Sequence, residues 1–326
     1  MLQCGITSKA RVRALFGDPA GRFRKVPFLA SLSVYQHTLS APAIIAGVGV
    51  HTGQRVRLSI RPAAPDTGIV FVRTDIHDRD NRVPALGESV VETKMETVIG
   101  NAAGVTVATI EHLTASLFAL GVDNATVELD GPETPIMDSS AQPFVQLLDR
   151  VGRRGQDAPR RFIEILETVE VVEGGKRAAL MPSDRFELAF EIDFPSRAIG
   201  RQSIDLEVDE DSFRAELAGA RTFGFIQEVE ALRRVGLARG GSMENVVVID
   251  ADRVLNPEGL RWPDEFVRHK ALDAVGDLSL LGAPLLGRFE GRYAGHGINN
   301  ALVRAVLARP QAWRWTTLAE AYAQAV

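Results

Sequence analysis

Residues 264–281 read DEFVRHKALDAVGDLSLL, and this stretch predicts one long buried helix. Pro263 precedes it and suits the first turn of a helix, and the acidic Asp264 and Glu265 suit the positive end of the helix dipole. Apolar residues occur nearly all round the helix rather than on a single stripe, which is typical of a helix packed on every side. Gly282 follows and is expected to end it.

His269 and Asp273 stand four residues apart in this helix, so their side chains share one face. Asp277 continues that face by one turn, and the apolar Phe266 and Leu272 fall on the same side. A buried carboxylate has to be paired, protonated or bound to a metal. We therefore favour a metal site or a buried ion-pair network over a solvated acidic face.

A second apolar helix is predicted at Thr109–Leu120 and ends at Gly121. Glu111 and His112 lie near its start. A catalytic metal needs a third protein ligand and an open position, and His112 supplies that ligand if the two helices face each other. Glu111 would then stand beside the metal as a general base, whereas stabilisation of the helix dipole is its alternative role.

The two halves of the chain share an order of strands, helix, Leu-Gly stop, strand, loop and helix. Aligning Leu120-Gly121 with Leu281-Gly282 places His112 opposite Asp273. The identity between the halves is weak, so chance is an alternative to duplication. A duplicated α+β unit would make the first helices of the two halves face each other.

His296 lies between Gly295 and Gly297, just before the last predicted helix. The glycines let the backbone turn tightly, which suits a side chain held at a site. A surface histidine that caps the helix explains the same pattern equally well.

The composition is that of an ordinary globular protein, with 326 residues of which 45% are hydrophobic and 24% charged. The formal net charge is −5, so attraction of the whole protein to nucleic acid is not expected. The single cysteine, Cys4, excludes an intramolecular disulfide and a cysteine-rich zinc site. No run of about 18 apolar residues occurs, and we expect no stable insertion into a membrane.

We predict three parts in the chain. Residues 1–36 carry six Lys and Arg against Asp18 alone and lack the pattern of a secretory signal. A poorly ordered extension, or a start codon chosen too far upstream, is the preferred interpretation, and a basic arm that binds a surface is the alternative. Arg153–Pro159 is polar and predicts an irregular boundary between domains 37–157 and 158–326.

Three motifs carry a resemblance to a known family: Thr109-Ile110-Glu111-His112-Leu113, the segment Asp264–Asp273, and Gly295-His296. In their order and spacing they resemble the UDP-3-O-acyl-N-acetylglucosamine deacetylases, the zinc enzymes of the committed step of lipid A synthesis. The segments 47–53, 135–138 and 220–225 match as well. The resemblance runs from about Thr38 to Ala308.

The resemblance implies two similar α+β domains, each a small sheet with a helix layer, with the layers packed face to face and the active site between them. It implies that His112, His269 and Asp273 bind zinc, with Fe2+ as an alternative occupant. It also implies that Glu111 is the general base and that His296 is the acid that protonates the leaving amine.

Further roles follow from the resemblance for a second set of residues. Asp277 would orient the catalytic histidine, Thr222 would stabilise the tetrahedral oxyanion, and Phe223 would lie against the sugar. Lys270 and Lys176 match basic positions associated with the nucleotide phosphates. The family often has Lys where this chain has Tyr293, so the phosphate contacts are expected to differ.

The resemblance implies an acyl chain in the substrate, and an acyl chain needs an apolar channel. Gly241 permits close approach of the backbone to a ligand. An ordinary core helix explains the apolar spacing after Phe225 better than a channel, unless the acyl chain contributes binding energy. The residues with this spacing are Ile226, Val229, Leu232, Val235 and Leu237.

Together these features predict a zinc-dependent amidohydrolase that removes the N-acetyl group of UDP-3-O-(3-hydroxyacyl)-N-acetylglucosamine and releases acetate. The expected partner is this acylated UDP-sugar, with no nucleic acid, and the enzyme is expected to work as a monomer in the cytoplasm of a Gram-negative type bacterium. Two alternatives stay open. One is a zinc enzyme that hydrolyses a peptide or another amide, and the other is a binding module with a structural zinc, which needs a fourth protein ligand.

Overall fold

The computed structural model describes residues 33–324, and its first strand, β1, is Tyr35–Leu39. Residues 1–32 of the predicted basic extension lie outside the described residues. The predicted extension ends two residues too late, because Tyr35 and Gln36 already belong to β1. The buried Gln36 side chain donates from Nε2 to Asp66 (2.8 Å) and to the Pro159 carbonyl (3.0 Å), which ties it to the rest of the chain.

The first half contains a five-stranded sheet in the order β2-β3-β9-β4-β5. Its strands are β2 (Ala43–Val48), β3 (Arg55–Pro62), β4 (Ile69–Arg73), β5 (Arg82–Pro84) and β9 (Ala125–Leu129). After a 3-10 turn at Gly87–Ser89, a small second sheet is formed by β6 (Val90–Glu92), β7 (Val98–Gly100) and β8 (Thr106–Val107). The helices of this half are α1 (Glu111–Ala119) and α2 (Gln142–Val151).

The polar segment Arg153–Pro159 is a strand, β10, and the prediction of an irregular boundary there is wrong. It pairs antiparallel with β1, so that Leu39 faces Arg153 and His37 faces Gly155. The sequence of β10 reads as a loop because most of its side chains are exposed, and hydrogen bonding to β1 rather than burial makes it a strand.

The second half contains a seven-stranded sheet in which the central β19 pairs with β13, β14 and β11. The strands are β11 (Arg161–Ile165), β12 (Val169–Glu173), β13 (Lys176–Met181), β14 (Phe186–Asp193), β15 (Arg201–Glu207), β19 (Leu285–Arg292) and β20 (Trp313–Thr317). A separate small sheet is formed by β16 (Phe223–Phe225), β17 (Val247–Asp250) and β18 (Arg253–Val254).

The helices of the second half include the long helix predicted at residues 264–281. They are α3 (Glu210–Ser212), which continues as a π turn over Phe213–Leu217, α4 (Ile226–Arg234), α5 (Glu265–Leu278) with a 3-10 turn at Ser279–Leu281, α6 (His296–Leu307) and α7 (Leu318–Gln324). In α5 only Arg268 and Lys270 are not buried, as the all-round apolar pattern predicts. Of the helices in residues 33–324, none is long and apolar enough to cross a membrane.

The two halves meet where α1 crosses α5, and the crossing is closest at Gly276. A Cβ atom at this position would lie 2.2 Å from the carbonyl oxygen of Glu111, so only glycine fits there. The Thr114 hydroxyl donates to the Gly276 carbonyl at 3.2 Å across the same contact. The helices of the two halves therefore face each other, and the predicted α+β fold of two similar domains is confirmed.

Local contacts fix the ends of several helices. The Asp138 carboxylate accepts hydrogen bonds from the N–H and the hydroxyl of Ser140, in the turn that precedes helix α2 at Gln142. The predicted stops at Gly121 and Gly282 hold, since both glycines adopt positive φ, at 65° and 93°.

The close crossing makes a substitution at Gly276 informative. We expect Gly276→Ala to lower the free energy of unfolding by about 1–3 kcal/mol, because the new methyl group overlaps the Glu111 carbonyl. Helix propensity alone predicts the opposite sign, since Ala is about 1 kcal/mol better than Gly inside a helix. Chemical denaturation measures the difference.

Gly131→Ala is the matched control, because a Cβ atom there would meet Val56 at an ordinary 3.6 Å. It should leave stability nearly unchanged. A Gly276→Ala protein as stable as the wild type would show that the helices do not need this contact.

Candidate active site

The crossing brings His112 of α1 next to His269 and Asp273 of α5. One ligand atom of each lies within 4.8 Å of the others, and all three residues are buried. Asp273 Oδ1 lies 3.6 Å from His112 Nε2 and 3.4 Å from His269 Nε2. The i, i+4 pair of the long helix and the histidine of the other half thus form one cluster that could hold a metal ion.

The protonation states of the cluster suit a cation. Burial lowers the pKa of His269 to about 3, so its imidazole is neutral. Its Nδ1 lies 3.1 Å from the Ala220 carbonyl, and donation to that oxygen leaves the Nε2 lone pair facing Asp273. Burial by itself would raise the pKa of Asp273, but the charged Lys270, which donates to Oδ2 at 2.8 Å, holds the pKa well below its usual range.

One carboxylate oxygen of the cluster has no hydrogen-bond partner among the described residues. Asp273 Oδ1 is buried and accepts no hydrogen bond from the described part of the chain. A buried carboxylate oxygen in that position needs a cation or a donor. Two imidazole nitrogens and a carboxylate oxygen are ligands that suit Zn2+ and other borderline divalent ions, so the residues present fit a metal.

Glu111, the first residue of α1, is buried beside this cluster. Its Oε2 accepts a hydrogen bond from the Thr97 N–H at 3.2 Å. Burial raises the pKa of its carboxyl to about 7, with nearby His296 acting in the opposite direction. A carboxyl with a pKa near neutrality can both take up and release a proton under working conditions.

His296, the first residue of α6, faces the cluster from a third helix. Its Nε2 lies 3.9 Å from Glu111 Oε1 and 3.8 Å from Asp273 Oδ2. Its Nδ1 lies 3.0 Å from Asp277 Oδ2. Burial would lower the pKa of His296, but the carboxylates of Asp277, Asp273 and Glu111 outweigh it and raise the pKa to about 10. The imidazole is therefore a buried cation, and a surface cap is excluded.

Asp277 is placed as a fixed partner for this imidazolium. Besides His296, it accepts hydrogen bonds from the Thr97 hydroxyl at 2.7 Å and from Asn299 Nδ2 at 2.9 Å. It is 1% exposed. These partners hold both the carboxylate and the ring in one orientation.

Lys270 and Phe223 lie on the open side of the cluster. Lys270 Nζ donates to Asp273 Oδ2 at 2.8 Å and lies 5.7 Å from the centre of the Phe223 ring. The Phe223 ring stands edge-on to His269, with 6.3 Å between ring centres. A cation and an aromatic face therefore border the proposed ligand atoms.

Thr222 precedes Phe223 at the start of β16, and its backbone is fixed on both sides. Its N–H donates to the Ser139 carbonyl at 2.9 Å, and its carbonyl accepts from the Val247 N–H at 2.8 Å. The preceding Arg221 is buried and donates from Nε to Glu265 Oε1 at 2.9 Å. Glu265 is thus an ion-pair partner that anchors this segment to α5, rather than a residue that only matches the helix dipole.

A cavity of about 290 Å³ opens onto the cluster. Glu111, His112, His269, Asp273 and His296 line its polar part. Of the predicted substrate residues, Thr222, Phe223, Val229, Gly241 and Lys270 line it too. Its apolar wall includes Ile226, Val229, Leu232, Ala238, Val246, Val248 and Leu255.

Helix α4 forms part of that wall and contains no buried residue, so it is not an ordinary core helix. Val235 and Leu237 were expected to continue its apolar face towards the ligand. They are instead 74% and 37% exposed and do not line the cavity. The helix ends at Arg234, and the chain then turns at Gly236, so the helical spacing no longer applies to them.

Lys176 is a predicted site residue that neither lines the cavity nor contacts a residue of the cluster. It is exposed at the end of β13, where it pairs across a tight turn with Glu173 of β12. The turn residues Gly174 and Gly175 have positive φ and are exposed, so this end of the hairpin lies in solvent.

Sequence reasoning missed His51, Glu96, Thr97 and Glu133 as individual residues. His51 and Glu96 line the cavity, and their side chains approach to 3.9 Å. Burial raises the pKa of Glu96. His51 lies in the glycine-rich segment 47–53, and that segment could have indicated a functional residue. Glu96 and Thr97 lie in an irregular turn, where no periodic pattern marks them.

The chain matches known proteins over most of its length. A family model described as UDP-3-O-acyl N-acetylglycosamine deacetylase matches residues 36–308. A protein of Phenylobacterium zucineum named UDP-3-O-acyl-N-acetylglucosamine deacetylase is 69% identical over 293 residues, which cover 90% of this chain and 100% of that protein.

Two further relatives carry the same name. The Myxococcus xanthus protein is 50% identical over 281 residues, covering 86% of this chain and 89% of the relative. The Syntrophotalea carbinolica protein is 47% identical over 288 residues, which cover 88% of this chain and 93% of that relative. The chain therefore belongs to the UDP-3-O-acyl N-acetylglycosamine deacetylase family.

Proposed function

We propose that this protein hydrolyses the N-acetyl group of UDP-3-O-(3-hydroxyacyl)-N-acetylglucosamine and releases acetate, as a step of lipid A biosynthesis. The observation that carries the proposal is the arrangement at the cavity. Three metal-ligand side chains, a carboxyl with a pKa near 7 and an imidazolium meet at one end of an apolar cleft.

His112, His269 and Asp273 are proposed to hold Zn2+, with Fe2+ as an alternative ion. The bound ion would polarise the amide carbonyl and make water more acidic. The open cavity beside the three ligands supports a catalytic site over a structural zinc, which would be closed by a fourth protein ligand.

Glu111 is proposed to take the proton of the attacking water. Its position at the cavity and a pKa raised by burial support that role, since the best general base titrates near the working pH. The same residue is 3.9 Å from His296 Nε2, so the proposed base and the proposed acid face the same part of the cavity.

His296 is proposed to protonate the amine as the C–N bond breaks. Asp277 accepts from Nδ1 and keeps the charged ring with Nε2 towards the cavity. Thr222, at the cavity wall, is proposed to donate its hydroxyl to the oxyanion of the tetrahedral intermediate.

The remaining cavity residues are proposed to bind the substrate. Phe223 offers an aromatic face to the sugar, and Lys270 a positive charge to the diphosphate. The apolar wall around Val229 and the open backbone at Gly241 would receive the acyl chain. Each methylene buried there contributes about 0.8 kcal/mol. The exposed Lys176 is not included in the proposed site.

One chain supplies every residue of this site, which supports action as a monomer. We place the reaction in the cytoplasm of a Gram-negative type bacterium, because nucleotide sugars are made there and the named relatives are bacterial.

The direct test is acetate release from the acylated UDP-sugar. We expect turnover by the purified protein, loss of turnover on treatment with a chelator, and recovery with Zn2+. Asp273→Ala should bind zinc at least about 100-fold more weakly, because loss of a ligand exceeds the usual effect of losing an outer partner.

Asp264→Ala is the control for that substitution, since Asp264 pairs with Arg268 at the start of the same helix, away from the cluster. It should keep metal and activity. An Asp273→Ala protein with full zinc content and full turnover would refute the proposed ligand set.

The pH dependence of kcat/KM should be bell-shaped. Glu111 must be deprotonated, so the rate falls as pH drops through its pKa, at about 7 or lower because a bound cation favours the carboxylate. His296 must be protonated, so the rate falls again as pH rises through a pKa of at most about 10.

Glu111→Gln and His296→Ala should each slow turnover by about 10²–10⁴-fold and remove the acid and the alkaline limb, respectively, with zinc content unchanged. Near-normal turnover by the His296→Ala protein with an intact alkaline limb would show that His296 is not the acid.

A further inference from the structure

A buried carboxylate outside the proposed reaction machinery holds one wall of the cavity. Glu133, in the loop after β9, is 1% exposed. Its Oε1 accepts from the His51 N–H at 2.8 Å, and its Oε2 accepts from the N–H of Thr52 at 2.9 Å and from the Thr52 hydroxyl at 2.7 Å. A buried carboxylate that accepts three hydrogen bonds from one short turn fixes that turn strongly.

The turn is residues 49–53, and its backbone is shaped around Glu133. The Gly53 N–H donates to the Gly49 carbonyl at 3.0 Å and closes the turn. A Cβ atom at Gly49 would lie 2.1 Å from Glu133 Oε2, so glycine is required for the carboxylate to enter. Val50 and His51 of this turn line the cavity.

The second half of the chain closes onto the same turn. The Arg239 N–H donates to the His51 carbonyl at 3.2 Å, and the Gly240 N–H donates to the Val50 carbonyl at 3.0 Å. A Cβ atom at Gly240 would lie 2.2 Å from the Gly49 carbonyl oxygen. Ala238 and Gly241 flank this contact and line the cavity, so the contact, here called the clasp (residues 49–53 with 238–241), bridges the two halves over the apolar wall.

Glu133 also reaches the helix that carries the proposed base. The hydroxyl of Thr109, two residues before Glu111, lies between two carboxylates: it is 3.1 Å from Glu133 Oε1 and also contacts Glu96 Oε2. Thr109 has a φ of 56°, which is unfavourable for a β-branched residue and needs support from its surroundings. One carboxylate thus connects the clasp with the chain that enters α1.

We propose that Glu133 is a positioning residue for substrate selection: by fixing the 49–53 turn it keeps the clasp closed and gives the acyl chain a formed wall. The inference rests on the proposed function, since it assigns the acyl chain to this cavity. It adds a determinant of chain-length preference that touches neither the metal ligands nor the proposed acid and base.

Glu133→Gln tests the proposal because it keeps the size of the side chain but replaces one oxygen with an NH2 group. That group cannot accept, so at least one donor of the turn loses its partner. We expect kcat/KM for a long-chain UDP-3-O-acyl-N-acetylglucosamine to fall at least about 10-fold, mainly through KM, since about 1.4 kcal/mol corresponds to that factor. The value for a short-chain analogue should change less than about 3-fold, with zinc content unchanged.

Glu128→Gln is the matched control, because Glu128 of β9 pairs with Arg61 and lies away from the turn. It should leave both values unchanged. Gly240→Ala opens the clasp from the other half and should give the same chain-length-dependent loss, which keeps the proposal testable if Glu133→Gln fails to fold.

Two failures can be told apart. Absence of acetate release by the wild-type protein would remove the proposed function itself. An active wild type, with folded Glu133→Gln or Gly240→Ala proteins that treat long and short chains alike, would refute the role of Glu133 alone.

Discussion

The close contact between α1 and α5 is the constraint on which the rest of the molecule depends. Neither half has a complete set of metal ligands, because His112 lies on one helix and His269 and Asp273 on the other. Gly276 lets the backbone of α5 approach the first residue of α1, and that approach puts His112 Nε2 3.6 Å from Asp273. Helix α5 packs in turn against β14 and β15 of the seven-stranded sheet.

The close packing of α1 and α5 buries several charged side chains, and these buried charges set the protonation states at the proposed active site. Glu111 and Asp277 lie within a few ångströms of His296, which becomes a buried cation for that reason. Lys270 offsets part of the charge of Asp273, but Asp273 Oδ1 has no hydrogen-bond partner within the described residues. A divalent cation would bind this oxygen and offset the remaining negative charge.

The sequence was informative where a pattern repeated with a helical period. The stripe of His269 and Asp273 and the glycine stops predicted the two helices, and the shared order of the two halves predicted that these helices face each other. The cavity residues Thr222, Phe223 and Lys270 were named from the family resemblance alone. Strand β10 was missed because backbone pairing with β1, not burial, makes it a strand. Glu133 and Glu96 were missed because their contacts join segments distant in sequence or lie in irregular turns. Only the family resemblance supported a role for Lys176 in substrate binding. Its position in a solvent-facing hairpin depends on which strands pair, and the sequence pattern did not show this.

Two histidines and one aspartate, drawn from both halves, are proposed to hold one metal ion. X-ray absorption spectroscopy of the zinc-loaded protein is the most direct test of this ligand set. We expect a first shell of nitrogen and oxygen only, with the multiple-scattering signature of two imidazoles. A sulfur ligand, or scattering from fewer than two imidazoles, would rule out this ligand set.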